Sequence, residues 1–260
     1  MKHLFELRGE LNKKTKLTIE LIGATLILLI WQLVAMRIDS VAILPTPVQI
    51  LTAFPELQSQ DFIIGNALYS IGLNYMGYIE AILVAVPLGF LIGCFPLFSA
   101  LSGRYINAMR FLPLTAVTGL FILWFGIETN MKVQFLAFGI LVYLLPVVVE
   151  RVTKVDKIYE QTAYTLGASK WQIIRKVFLP DVSGKLSDDI KILVAISWTY
   201  IIVAELINKS GGIGALIFTS ARQSRLDKVF AILLVIIFIG FLQDRLFTWL
   251  DKKAFKHKYA

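Results

Sequence analysis

Cysteine and histidine are almost absent from this sequence of 260 residues. The single cysteine, Cys94, cannot form a disulfide within the chain, and the two histidines, His3 and His257, lie near its ends. The sequence therefore contains no cluster of metal ligands, and no nucleophile can be paired with a base. We expect a protein that is not an enzyme and that holds no metal or cofactor of its own.

A phosphate-binding loop is also missing. The pattern GxxxxGK[ST] cradles the phosphates of ATP with backbone N–H groups and a lysine. Here Gly184-Lys185 is followed by Leu186, and the upstream glycine of the pattern is absent. We therefore expect no ATP site of this kind in the chain.

Charge is scarce over long stretches of the chain. Charged residues make up 17% of the sequence, 57% is hydrophobic, and the mean hydropathy is +0.72. A helix of about 20 apolar residues crosses a bilayer, and six such stretches leave too little polar surface for a soluble core. The sequence predicts an all-α integral membrane protein whose six transmembrane helices are Leu17–Met36, Leu68–Phe90, Ile106–Phe125, Val133–Val149, Ile190–Ile207 and Val229–Leu246.

The first apolar stretch follows a basic segment, as in a signal peptide. It is longer than a signal core, however, and no small-residue cleavage site precedes Arg37. We interpret it as a retained span. The predicted domains are an N-terminal segment (1–16), a six-helix transmembrane domain (17–250) with a long loop at about 150–189, and a basic tail (251–260).

The net charge of +8 is explained by its distribution between the two sides of the membrane. With six spans, 20 of the Lys and Arg residues lie on the side of the termini and of the 150–189 loop, and 6 lie on the other side. Because positive residues favour the cytoplasmic side, both termini and this loop are predicted to be cytoplasmic. The charge thus indicates topology in a lipid membrane, and we expect no nucleic-acid partner.

The cytoplasmic loop contains a helix, a corner and a second helix. Apolar residues from Val155 to Leu166 recur at spacings of three and four, and Gly167 follows where a helix C-cap favours glycine. Ser169 with Gln172 forms a capping box for the second helix, and Pro180 predicts that this helix ends at Leu179. Spacing leaves two interpretations open, a docking element for a soluble partner or a helix lying on the membrane.

Four blocks of sequence carry a resemblance to a known family. Leu44-Pro45-Thr46-Pro47 is the first block. The others are Arg110 and Pro113 with Leu123-Trp124-Phe125-Gly126; Thr162-Ala163 and Leu166-Gly167-Ala168-Ser169 with Phe178-Leu179-Pro180; and Ser197-Trp198 and Ala204-Glu205 with Gly211-Gly212-Ile213-Gly214. Together they resemble permease subunits of ATP-binding-cassette (ABC) importers, in the nitrate, sulfonate, taurine and bicarbonate branch. The resemblance covers roughly residues 25–250.

The resemblance implies a type I importer permease fold, in which the 160–180 loop is a coupling helix. Its implied partners are a second copy of the permease, two ATPase subunits that carry ATP and magnesium, and an extracytoplasmic binding protein. One departure is Gln161, which stands where the family has Glu, with Glu160 one place early. The resemblance assigns the contact with the ATPase to Glu160, Gln161, Ala163, Gly167, Ala168, Ser169, Trp171 and Pro180.

Charged residues within predicted spans are the next functional candidates, because they are costly there and face a cavity or a partner. Arg110 either attracts an anion or snorkels to the interface, Glu205 either shapes a gate or caps a backbone turn, and Glu80 packs or pairs. If span three is one helix, Arg110 and Trp124 are about 21 Å apart. The predicted pathway residues are Arg110, Pro113, Trp124, Trp198 and Glu205, and the predicted outer gate loop contains Gly211, Gly212 and Gly214.

Each of these residues also has a simpler interpretation. Tryptophans are common at the membrane interface, and a glycine cluster can be only a flexible loop. The resemblance implies a permease of the bacterial inner membrane that imports a small solute such as nitrate, a sulfonate or taurine, or bicarbonate, and some members of the branch carry neutral heterocycles. The alternative is a self-sufficient secondary transporter or channel, although no internal repeat supports it.

Overall fold

The computed structural model describes residue 9 and residues 11–207 and 210–258. Over these residues the regular structure is helical. The α-helices are α1 (Lys13–Ile38), α2 (Pro47–Ser59), α3 (Ile63–Cys94), α4 (Pro96–Met109), α5 (Leu114–Phe125), α6 (Thr129–Thr153), α7 (Lys157–Thr165), α8 (Lys170–Ile173), α9 (Leu179–Ile207), α10 (Ile213–Arg222) and α11 (Leu226–Ala254). A π-helical turn, Ile174–Phe178, joins α8 to α9, and a 3-10 turn covers Lys256–Lys258. The predicted terminal segments 1–16 and 251–260 lie partly outside the described residues, and His3 is among those outside.

Five helices of the described chain are long and apolar enough to cross a membrane. They are α1, α3, α6, the continuous helix Lys170–Ile207 and α11. The pair α4 and α5 passes the same test together but is bent by 107°. The predicted all-α membrane fold is confirmed, and it has six crossings when the bent pair counts as one.

The third predicted span, Ile106–Phe125, is not one straight helix. α4 ends at Met109 and α5 begins at Leu114, so the bend occupies Arg110–Pro113. Pro113 has extended backbone angles (φ −66°, ψ 114°), and a proline disfavours helical geometry in the residue before it. The 21 Å separation between Arg110 and Trp124, which assumed a straight helix, is therefore wrong.

The prediction that the second loop helix ends at Leu179 is also wrong. The helix that begins at Lys170 continues through Pro180 to Ile207. Immediately before the proline the chain forms a π turn, in which the Leu179 N–H donates to the Ile174 carbonyl oxygen five residues earlier. This wider turn accommodates Pro180, which has no N–H to donate and would crowd a regular α-turn.

The described chain divides into two compact units, of which the first contains the residues up to Phe62 and Thr219–Leu234. In this unit Thr46 and Gln49 form a capping box at the start of α2, and Trp31 Nε1 donates to the Pro45 carbonyl oxygen. The carboxylate of Glu56 on α2 lies 2.7 Å from Arg225 Nη2 and 2.9 Å from Lys228 Nζ. The ion pair with Arg225, followed by that with Lys228, lowers the pKa of Glu56 to about 2.

The second unit contains Ile63–Phe218 and the described residues from Val235 onward. Its core forms where α6 packs between α3 and α9. Gly89 on α3 allows close contact, because a Cβ atom added there would lie 2.5 Å from Val148 Cγ1 on α6. Small residues of this kind let membrane helices approach closely. At one end of the same unit, Arg151 on α6 forms a two-bond ion pair with Asp189 on α9.

Candidate functional site

The corner segment, Val155–Pro180, has the local geometry that the sequence predicts. Asp156 caps α7, whose C-terminus is closed by Gly167 at φ 79°. The Gly167 N–H donates to Tyr164, and the Ala168 N–H donates to the Ala163 carbonyl oxygen, which is the Schellman pattern of a helix end. Ser169 then begins α8 with the predicted capping box. The caps thus define where α7 ends and where α8 begins.

Large apolar side chains on the corner segment are exposed. Leu166 is 82% exposed and Trp171 is 69% exposed, and α7 contains no buried residue. The two arms of the corner enclose a groove of about 530 Å³ whose lining includes Ala163 and Pro180. Of the remaining predicted contact residues, Gln161, Gly167 and Ser169 are exposed, whereas Glu160 and Ala168 are half-buried.

The glycine turn, residues 210–214, is held by side chains from three helices. Gly211 and Gly212 have φ angles of 114° and 100°, which favour glycine. The Gly212 N–H donates to Asn66 Oδ1 at 2.7 Å, and the Ile213 N–H donates to Ser70 Oγ at 2.9 Å. The predicted gate loop is therefore an ordered turn bonded to α3.

Glu205 caps this turn from α9. Its fully buried carboxylate accepts from Ser70 Oγ at 2.6 Å and from the Gly214 N–H at 2.7 Å. A side chain at Gly212 would collide with the same carboxylate. Lys132 on α6 is also fully buried and donates to the Gly211 carbonyl oxygen at 3.2 Å. The structure thus contains the backbone cap that was one of the two sequence interpretations of Glu205.

Arg110 and Pro113 lie at the bend between α4 and α5, beside a cavity of about 300 Å³. This cavity also contains Thr115 on α5, Tyr143 on α6 and Tyr200 on α9. The rings of the two tyrosines stack with centroids 6.3 Å apart. The lining thus combines one arginine with several hydroxyl-bearing residues, and both kinds of side chain can donate to an oxyanion.

The remaining predicted residues differ in exposure. Trp124 is 62% exposed near the end of α5, whereas Trp198 is buried and donates from Nε1 to Gln243 at 2.6 Å. The position of Trp198 favours packing over contact with a solute. Glu80 accepts from Gln134 Nε2 at 2.8 Å, in agreement with a pairing role.

The sequence patterns missed several side chains that bind the glycine turn or line the cavity at Arg110. Asn66 and Ser70 lie more than 130 residues before the turn that they bind, so no local pattern connects them. Tyr143 carries no motif. Lys132, one of the six positive residues that the sequence analysis counted on the side opposite the termini, is buried in the structure. A polar residue inside an apolar helix was the one available signal, and it applies to Ser70.

Comparisons with known proteins agree with the resemblance. Residues 85–256 match the family described as "Binding-protein-dependent transport system inner membrane component". A candidate aliphatic sulfonates transport permease protein of Bacillus subtilis (strain 168) is 31% identical over 88% of this chain and 84% of its own length. The taurine transport system permease protein of Escherichia coli (strain K12) is 25% identical over 91% of this chain and 88% of its own length.

The fold is similar to that of solved ABC transporter structures. An inward-facing structure of the MetNI methionine ABC transporter has a TM-score of 0.65 at 15% identity, covering 74% of this chain and 96% of the matched one. At this identity the likeness concerns the fold alone. The family match, however, spans more than half of the sequence, and the apolar helices fit its description as an inner membrane component. This chain therefore belongs to the binding-protein-dependent transport system inner membrane component family and is a permease subunit of an ABC importer.

Proposed function

We propose that this chain forms the membrane pathway for a small anion and is driven by ATP hydrolysis on a separate ATPase docked at the corner segment. The observation that carries this proposal is the capped corner, which keeps Leu166 and Trp171 exposed in the segment that joins two membrane helices. Exposed apolar patches of this kind mark protein interaction sites. A displacement of the corner by a partner would move the rest of the continuous helix Lys170–Ile207.

The assembly that we propose follows from the family. Two copies of the permease would enclose the path, two ATPase subunits would bind ATP and magnesium, and an extracytoplasmic binding protein would deliver the solute. The chain would lie in a bacterial inner membrane with both termini in the cytoplasm, as the excess of Lys and Arg on that side indicates. Our proposed domain limits remain 1–16, 17–250 and 251–260.

An anionic substrate is supported by two features. Arg110 lies at a cavity, and two relatives are named for sulfonates and taurine. A formylaminopyrimidine transport permease protein of Halalkalibacterium halodurans is 25% identical over 84% of this chain, so the wider family is not restricted to sulfonates. Among the pathway residues, we propose that Arg110, Pro113 and Trp124 face the solute. We propose that Glu205 holds Gly211, Gly212 and Gly214 as an outer gate.

Co-purification tests the coupling proposal. The native chain, extracted mildly from its membrane, should retain an ATPase subunit in stoichiometric amount, whereas Gly167→Trp should lose it, because the indole would obstruct the approach of the partner to the corner. Gly167→Asn is the matched control, since asparagine tolerates a positive φ and is small. A native chain that purifies alone and still moves solute in liposomes would overturn the proposal in favour of a self-sufficient transporter.

A further inference from the structure

Arg110 lies in the wall of two cavities that meet at the bend. The first cavity, of about 300 Å³, is the one described above, and its hydroxyl-bearing residues are Thr115, Tyr143, Thr199 and Tyr200. The second cavity, of about 310 Å³, contains Asn107 and Glu150. The same arginine thus lines a cavity without a carboxylate and a cavity with one.

The first cavity fits an anion that has both an acidic head and a short carbon chain. A guanidinium offers paired N–H donors to an oxyanion, and the hydroxyl groups add neutral donors that do not repel it. The lining also contains Leu112 and Val203, whose apolar surface suits carbon atoms and offers nothing to a small inorganic ion. This lining therefore favours an organic sulfonate or carboxylate over nitrate or bicarbonate.

The second cavity differs from the first because it has a carboxylate, that of Glu150, in the same lining as Arg110. The carboxylate of Glu150 is paired with Lys154 Nζ at 2.6 Å, yet more than half of its side-chain surface is exposed. Glu150 lies in the last turn of α6, which ends at Thr153, and α7 of the corner segment begins at Lys157. Only a few residues therefore separate Glu150 from the corner segment.

We propose that the first cavity is the binding site for a small organic anion, with Tyr143, Thr199 and Tyr200 as its specificity-determining hydroxyls. Glu150 promotes release, because its negative charge competes for Arg110 and repels the departing anion. This inference rests on the proposed function, since it requires that the solute pass through this chain. It adds four residues that neither the sequence motifs nor the relatives indicate.

Charged thiol reagents test the site without ATP. The full chain, with the subunits that co-purify, is placed in lipid nanodiscs with Cys94→Ser and Thr115→Cys. The rate at which an ethylsulfonate methanethiosulfonate labels this chain is first divided by its rate with a free thiol, and the same is done for the trimethylammonium reagent. The labelling ratio is the relative rate of the sulfonate reagent divided by that of the trimethylammonium reagent. We expect a ratio above one that falls about fivefold with Arg110→Gln and is retained with Arg110→Lys. Arg104→Gln, on α4 just before the bend and outside both linings, is the matched control.

The hydroxyls and Glu150 are tested in the same format. Ethanesulfonate should protect Thr115→Cys, and Tyr143→Phe, Tyr200→Phe or Thr199→Val should raise the protective concentration severalfold without changing the labelling ratio. With Asn107→Cys as the reporter, Glu150→Gln should raise the ratio, whereas Glu128→Gln should not. A ratio that Arg110→Gln leaves unchanged, or protection that is insensitive to all three hydroxyl changes, would overturn the inference.

The two proposals fail independently in these experiments. If the ATPase does not co-purify but labelling follows Arg110, the anion site stands and the coupling proposal is wrong. If the ATPase binds through Gly167 while labelling ignores Arg110, only the anion site is wrong.

Discussion

Glu56 is a residue outside the spans whose ionisation the structure perturbs strongly. Its carboxylate is shared by Arg225 and Lys228, and the pKa falls from the usual 4.5 to about 2. A lowered pKa in the folded state means that these pairs add stability above pH 4.5 and lose it as the pH falls towards 2. The two cations are themselves held by Asp227 and Asp61, so the carboxylate meets a fixed arrangement of charge.

We therefore predict that Glu56→Gln lowers the melting temperature by a constant amount from pH 8 to pH 5. Below pH 4.5 the difference from the native chain should shrink, because Glu56 then takes up a proton in the unfolded chain while it stays ionised in the folded chain, and the ion pairs lose their contribution as the pH falls towards 2. Thermal unfolding of the detergent-solubilised chain across this range measures the difference. Glu128→Gln, which removes a carboxylate that makes no capping bond, controls for the loss of charge alone. A difference in melting temperature that persists unchanged to pH 3 would contradict the assignment of a lowered pKa to Glu56.

At the scale of helices, the contact between α3 and α6 depends on glycine. A Cβ atom at Gly89 would lie 2.5 Å from Val148, whereas one at Gly72 on the same helix would meet nothing within 4 Å. We predict that Gly89→Ala destabilises the chain by about 1–3 kcal/mol through overpacking. Gly72→Ala should be neutral or stabilising, because alanine is the better helix former. Unfolding of both variants in mixed micelles measures the change in the free energy of unfolding. Equal changes in Gly89→Ala and Gly72→Ala would exclude close packing as the cause.

The sequence predicted the apolar helices well, because a stretch of about 20 apolar residues is a local signal. It failed at two prolines for different reasons. Pro113 lies in a stretch whose hydropathy is that of a span, so the 107° bend left no trace in the averaged signal. Pro180 was interpreted as a stop, although the π turn before it lets the helix continue. Hydropathy indicates which segments lie in the membrane. It does not indicate whether a helix bends or continues at a proline, because that depends on the residues around the proline.

In the candidate sites, too, the sequence predicted the local features and missed the long-range contacts. The cap at Gly167 and the box at Ser169 were predicted correctly, since each involves residues only a few positions apart. The hydrogen bonds from the glycine turn to Asn66 and Ser70 could not be predicted, because they join residues more than 130 positions apart. Short-range geometry follows from a single sequence, and long-range contacts do not.

At the scale of the whole molecule, the bent pair decides the topology. Each crossing takes the chain to the other face of the membrane. If α4 and α5 together cross, residues before α1, the corner segment and the end of α11 all lie on one face. If the pair instead enters and leaves by the same face, only five crossings remain, and the corner segment lies opposite the start of α1. An ATPase at the corner and the excess of Lys and Arg near the termini can share the cytoplasm only in the first case.

We predict six crossings, and single cysteines test this. With Cys94→Ser, one cysteine is placed at Asn12, at Thr165 on α7 or at Gln223 between α10 and α11. A membrane-impermeant maleimide should label Gln223→Cys in intact cells, and it should label Asn12→Cys and Thr165→Cys only after permeabilisation. Labelling of Asn12→Cys and Thr165→Cys from opposite faces would show that the bent pair is re-entrant. In that case the corner could not contact a cytoplasmic ATPase while the N-terminal segment also lies in the cytoplasm. The positive charges near one terminus would then need an explanation other than the preference of Lys and Arg for the cytoplasmic side.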